Sequence, residues 1–129
     1  MKVGVVGEIH TCGYEIFENN NIEYFVTNSK EEDQLTNELS DVDGIVVRTV
    51  KLSKKVLSNA KKLQVVARHG VGYDNVDYNF LNENKIALAI TGTANAVSVS
   101  EHVMTMMLCL TKNIYCLLYT SDAADDDHC

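Results

Sequence analysis

The chain has 129 residues, 46% of them hydrophobic and 22% charged, which is the length and make-up of one domain able to bury a core. A net charge of −7 with no basic run argues against a nucleic-acid surface. No stretch reaches the roughly 18 apolar residues of a membrane span, and the short apolar start MKVGVVG has no signal-peptide cleavage region.

Short β-branched runs alternate with longer polar segments along the chain. The runs are KVGVV (2–6), IEYFV (22–26), GIVVR (44–48), LQVVAR (63–68) and IALAIT (86–91). Their length and their Val and Ile content predict strands of a parallel sheet buried on both faces. Four helices are expected between them. EIFENN lies in the first, and KEEDQLTNELS in the second sets Leu35 and Leu39 at i, i+4 spacing. SKKVLSNAKK opens on Ser53, a good N-cap. VDYNFLNENK follows Asn75 and contains Asp77, either of which can cap it. The β-α-β-α rhythm predicts an α/β fold, a flavodoxin-like doubly wound sheet of five parallel strands in the order 2-1-3-4-5. The four cysteines, Cys12, Cys109, Cys116 and Cys129, have neither metal spacing nor a disulfide framework. A reducing, cytoplasmic setting and no metal site are therefore expected.

The loop after the first strand, GEIHTCG, imitates a dinucleotide-binding turn but fails it. The pattern G-x-G-x-x-G needs glycine at residue 9 counting from Gly7, or at residue 6 counting from Gly4. Those residues are Ile9 and Val6, so a plain first strand is expected.

Ligands of open parallel sheets bind beyond the carboxyl ends of the strands. There this chain offers Arg48-Thr49, then Arg68-His69-Gly70-Val71-Gly72, then Thr91-Gly92-Thr93-Ala94-Asn95. A guanidinium, glycine-exposed backbone N–H groups and an amide side chain suit a small carboxylate or phosphate. The bland alternative is a glycine-assisted turn with structural polar caps. Of the histidines, His10 is expected at the surface. His69 either touches a ligand or fills its turn. His102 is read as structural, because neighbouring helix residues such as Glu101 do not face it.

Residues 97–115 read as one helix, apolar on nearly every side: Val97, Val99, Val103, Met104, Met106, Met107, Leu108 and Leu110. Such a helix needs a second domain or a subunit to bury it.

Two motifs then stand in order, RHGVGYDNVD (68–77) and Asn95-x-x-Ser98-Val99-x-Glu101. With the stretch from Asp43 to Ile114 around them, they resemble the amino-terminal substrate domain of the D-isomer-specific 2-hydroxyacid dehydrogenases, nearest the phosphoglycerate dehydrogenase branch. The resemblance covers about residues 1–115 and implies an oxidoreductase that moves hydride between NAD and a 2-hydroxy or 2-keto acid. It implies that Arg48 and Thr49 help hold the acid. Gly70, Val71 and Gly72 would bind its carboxylate, with Val71 also near the nicotinamide. Asn95 would line the cleft, and Val99 would touch the cofactor. Residues 96–101 would be a hinge, and the apolar helix would cross between domains and support a homodimer. The phosphoglycerate branch would place the protein in serine biosynthesis.

The chain departs from the family where Ile90-Thr91-Gly92 replaces N-T-P and Ser100 replaces an alanine. The larger departure is that the family's nucleotide-binding half, with its glycine loop and its catalytic Arg, Glu and His, has no counterpart here. No catalytic residue is therefore assigned. The domains are expected to be a substrate domain over 1–96 and a hinge with its helix over 97–115. Residues 116–129 are expected to be a disordered tail, because CLLYTSDAAD resembles the in-frame translation of a sequencing adaptor. Without the four aspartates of 117–129 the net charge becomes −3. The rival reading is a stand-alone α/β anion-binding or regulatory module.

Overall fold

The computed structural model describes residues 1–114, so the adaptor-like stretch lies outside the described residues. The chain divides into two compact units, Met1–Gly92 and a second beginning at Thr93. The first holds β1 (Lys2–Val6), α1 (Thr11–Asn19), β2 (Glu23–Thr27), α2 (Glu32–Glu38), β3 (Gly44–Val47), α3 (Lys54–Asn59), β4 (Val65–Arg68), α4 (Tyr78–Glu83) and β5 (Ala87–Ile90). The second holds α5 (Ala96–Thr111).

All five strands pair in parallel, in the order β2-β1-β3-β4-β5. This is the doubly wound arrangement expected from the alternation of short β-branched runs and helical segments. The register sets one row of side chains, Gly4, Ile45, Val66 and Leu88, on one face. Ile45 and Val66 are buried there in a cluster with Leu35 and Leu39, with Val56 and Leu57 from α3, and with Leu81 from α4. Gly4 has to be glycine for this packing, because a Cβ on it would stand 2.5 Å from Leu39 Cδ2.

The next row, Val5, Val46, Ala67 and Ala89, faces the opposite way. Here α1 is the unit's own helix. Val5 is fully buried, but Val46 and Ala67 are half-buried and Ala89 is exposed. A parallel sheet is ordinarily covered on both faces. Within this unit the β4–β5 half of one face is open.

The helix ends follow local chemistry. His10 occupies the N-cap of α1, its Nδ1 accepting the Cys12 N–H at 3.3 Å. Asp77 caps α4 by accepting the Phe80 N–H at 3.0 Å, which decides between the two candidates Asn75 and Asp77. Ser53 stands at the N-cap of α3, but its hydroxyl donates to Glu32 Oε1 instead of capping.

Exposed ion pairs decorate the α2–α3 side. Lys62 Nζ lies 2.6 Å from Asp41 Oδ1, and this ammonium, as hydrogen-bond donor and nearby charge, holds the Asp41 carboxyl below its ordinary range. A lowered carboxyl pKa adds stability above the ordinary value, and that stability is lost as pH falls through the lowered one. Lys62→Met is expected to move the Asp41 titration up toward the ordinary aspartate range, read from side-chain carbonyl shifts in an NMR pH series. An unmoved midpoint would show that the pair is not formed in solution.

The second unit is described by itself. α5 runs sixteen residues with none buried, and Val97 and Leu110 at its two ends are each 71% exposed. His102, read as structural from the sequence, is exposed on this helix beside an exposed Glu101. No helix among the described residues is long and apolar enough to cross a membrane. Among the same residues no group of three or more His, Cys, Asp or Glu side chains could hold a metal ion.

Candidate functional site

The carboxyl edge of the sheet is built by register. Val47 and Arg68 are partners at the ends of β3 and β4, and the His69 N–H donates to the Val47 carbonyl at 2.8 Å. Arg48 and Thr49, both exposed, therefore leave β3 beside the chain that becomes the 68–72 loop.

Below this edge the two loops are joined. Leu52 and Val76 form an isolated parallel bridge. The Leu52 N–H donates to the Asn75 carbonyl at 2.8 Å, and the Asp77 N–H donates to the Leu52 carbonyl at 3.1 Å. The Asn75 side chain adds a third link, its Nδ2 donating to the Val50 carbonyl at 2.8 Å. Four residues of the 68–77 signature lie outside regular structure and exposed, Val71 to Asp74, yet this ladder fixes their carboxyl-side end and the His69 bond to Val47 holds the amino side. β5 contributes a further tie, the Thr91 N–H donating to the Gly70 carbonyl at 3.1 Å.

Backbone donors distinguish the three residues expected to bind a carboxylate. The Gly70 N–H donates to the Arg68 carbonyl at 2.9 Å, so it closes the turn. Among the described residues no acceptor takes the N–H of Val71 or of Gly72. Two adjacent free amides on an exposed turn are the donors an oxyanion needs. Gly70 has φ +148°, a backbone state that a side chain rarely adopts.

Arg68 is the site residue that pattern reading left without a role. It ends β4, and its guanidinium lies against Gly70, where a Cβ would overlap Nη1 and stand 2.6 Å from Cζ. Nη1 reaches the His69 carbonyl only at 3.4 Å, and Nε is buried with no partner. Neither Arg48 nor Arg68 enters an ion pair among the described residues. Beside this edge, on the open face, runs a cleft of about 460 Å³ lined by Ile9, Ile16, Ala67 and Ala89, with Arg68 and His69 at the strand ends. His10 also lines it and is exposed, as expected.

Asn95 and Val99 belong to the second unit. Asn95 is the N-cap residue of α5 without a side-chain cap bond, and its carbonyl accepts the Val99 N–H at 2.9 Å.

A five-stranded parallel sheet with helices between its strands defines a doubly wound α/β domain, the architecture whose ligands bind beyond the carboxyl ends of the strands. The family model described as "D-isomer specific 2-hydroxyacid dehydrogenase, catalytic domain" matches residues 3–126, and the chain belongs to that family. It is 33% identical over 114 residues to the D-3-phosphoglycerate dehydrogenase of Sus scrofa, covering 88% of this chain and 21% of that protein. It is 34% identical over 116 residues to the D-3-phosphoglycerate dehydrogenase of Methanocaldococcus jannaschii, covering 88% and 22%. Among solved structures it is similar to the NAD+-bound 3-phosphoglycerate dehydrogenase of Entamoeba histolytica, with TM-score 0.73, 27% identity, and coverage of 84% of this chain and 38% of that one. The chain thus spans about a fifth of the length of the curated relatives it matches.

Proposed function

We propose that this chain is the substrate-binding part of an NAD-dependent 2-hydroxyacid dehydrogenase that acts on a small 2-hydroxy or 2-keto acid, in the manner of phosphoglycerate dehydrogenase. The observation that carries the reading is the pair of amides at Val71 and Gly72, inside the family's own signature, that no acceptor takes among the described residues. The amides accept the substrate carboxylate, and Arg48 supplies a fork-shaped cation for an acidic group. Their part in the reaction is to fix the acid so that its C2 carbon is presented to hydride transfer in one orientation. Thr49, beside Arg48 in the chain, contributes to the same contacts.

The dinucleotide is not held by this chain alone. Its loop after β1 lacks the glycine pattern of a pyrophosphate site, and Gly4 is used for packing against Leu39. Val71 and Val99 would meet only the nicotinamide end. The pyrophosphate loop and the acid/base residues belong to the remainder of the full-length protein. α5, exposed and apolar, serves as its interdomain and dimer helix, with residues 96–101 as the hinge.

The test compares two proteins, the present chain and a full-length protein in which the frame continues into a nucleotide-binding half. The full-length protein is expected to oxidise NADH with a 2-keto acid such as hydroxypyruvate or its phosphorylated form, followed at 340 nm. The present chain alone is expected to show no turnover. Turnover by the short chain would sink the division of labour. A full-length protein that binds 2-keto acids without oxidising NADH would favour the regulatory module.

A further inference from the structure

We propose that Arg68 is an anion-binding residue of the 70–72 turn, placed there because residue 70 is glycine. The inference rests on the substrate-binding reading above and adds to it the charge that two neutral amides lack.

Three observations converge on it. First, the guanidinium lies over the Gly70 Cα, in space that any side chain at 70 would take. The first free amide, that of Val71, belongs to the peptide that starts at Gly70. Successive Cα atoms are ~3.8 Å apart, so the cation stands within about one residue of the donors. Second, the side chain is under-satisfied. Nε is buried without a partner, Nη1 has a single contact at the long limit of a hydrogen bond, and no carboxylate pairs with it among the described residues. Buried polar groups are normally hydrogen-bonded, so an arginine with unused donors calls for an explanation, and an anion on its Nη atoms supplies one. Third, the loop that presents it is tied from both sides, by His69 N–H to Val47 and by Thr91 N–H to Gly70. The backbone on either side of the guanidinium is therefore fixed and does not have to be ordered on binding.

The glycine has two jobs in this arrangement. It permits φ +148°, and it leaves room for the cation. Alanine at 70 would push the guanidinium aside without removing it. Arg68→Met and Gly70→Ala should then share part of their effect: Gly70→Ala should cost less in the Arg68→Met background than it does alone.

The experiment uses the 129-residue chain labelled with 15N and titrated with oxamate, an unreactive isostere of a 2-keto acid. For the unaltered chain, saturable shifts are expected at the Val71 and Gly72 amides with a Kd on the order of 1–10 mM, the strength of one cation and two donors on an open surface. Arg68→Met is expected to weaken binding at least about tenfold, since hydrogen bonds to a charged group are the strong ones, while the remaining amide spectrum keeps its dispersion. Arg68→Lys should recover part of the loss, because it returns the charge without the fork. Gly70→Ala should weaken binding at least as much as Arg68→Met, and the double variant should lose less than the sum of the two. If Gly70→Ala does not fold, the Met and Lys pair decides alone. Unchanged affinity in Arg68→Met, or no recovery with Lys, overturns the assignment of Arg68 and leaves the amide turn standing. Additive losses overturn the role of Gly70. No shift at Val71 and Gly72 in the unaltered chain overturns the substrate-binding reading itself, and the role of Arg68 with it.

Discussion

Leu39→Ala is expected to cost the domain about 2–5 kcal/mol, the range for truncating a fully buried leucine that leaves a cavity. Leu39 is completely buried and sits over Gly4, so its removal empties the space between β1 and the end of α2, where Gly4 has no Cβ to fill it. For a domain of this size about 1 kcal/mol moves the melting temperature by roughly 4–8 °C, so the loss should be about 8 °C or more. Circular dichroism against temperature checks it. A shift of only a few degrees would mean that the α2 layer packs more loosely than described here.

Asn75→Ala is expected to remove about 1–3 kcal/mol, because it deletes a 2.8 Å bond and leaves the Val50 carbonyl half-buried without its donor. The loss should be local before it is global. The backbone links from Leu52 survive, but the 70–74 turn loses the side chain that ties it to the Arg48 loop. Hydrogen exchange at Val71 to Asp74 and at Val50 to Leu52 should quicken more than exchange in β1, which lies away from the clasp. Asn75→Asp is the sharper control: it has the same shape but presents a carboxylate to a carbonyl, and it should be no better than alanine. Uniform quickening across the sheet would show that Asn75 supports the whole fold and not the site.

How much of this was legible in the sequence depended on the reach of each interaction. The strands were, because burial on both faces demands short β-branched runs, and KVGVV at 2–6 coincides with β1. Helix starts were less so. α1 begins at Thr11, ahead of the EIFENN stretch, because the imidazole of His10 caps it, and histidine is outside the usual capping set. α3 ends at Asn59, although the pattern runs on to Lys62, because Leu63 donates back to Ala60 and turns the chain into β4. In the site, the signature of residues 68–77 marked the right loop. Asn75 looked like a cap or a turn residue, because its true acceptor lies 25 positions away. Gly70 was readable as a turn glycine, but the need to admit a guanidinium appears only once Arg68 has been placed. The open half-face was hidden as well, since Ala67 and Ala89 look like any strand alanine until the helices are assigned to sides.

That open half-face has a consequence for anyone handling the protein. β5 is the last strand in the sheet order, so no strand among the described residues lies beside its outer row of N–H and C=O groups, and its Ile90 is 43% exposed. Unpaired backbone and bare apolar surface on the same strand are the ingredients of edge-to-edge association. Within the first unit, self-association in concentrated solution should begin along β5, and a lysine placed at Ala89, pointing out of the bare face, is the change that would oppose it.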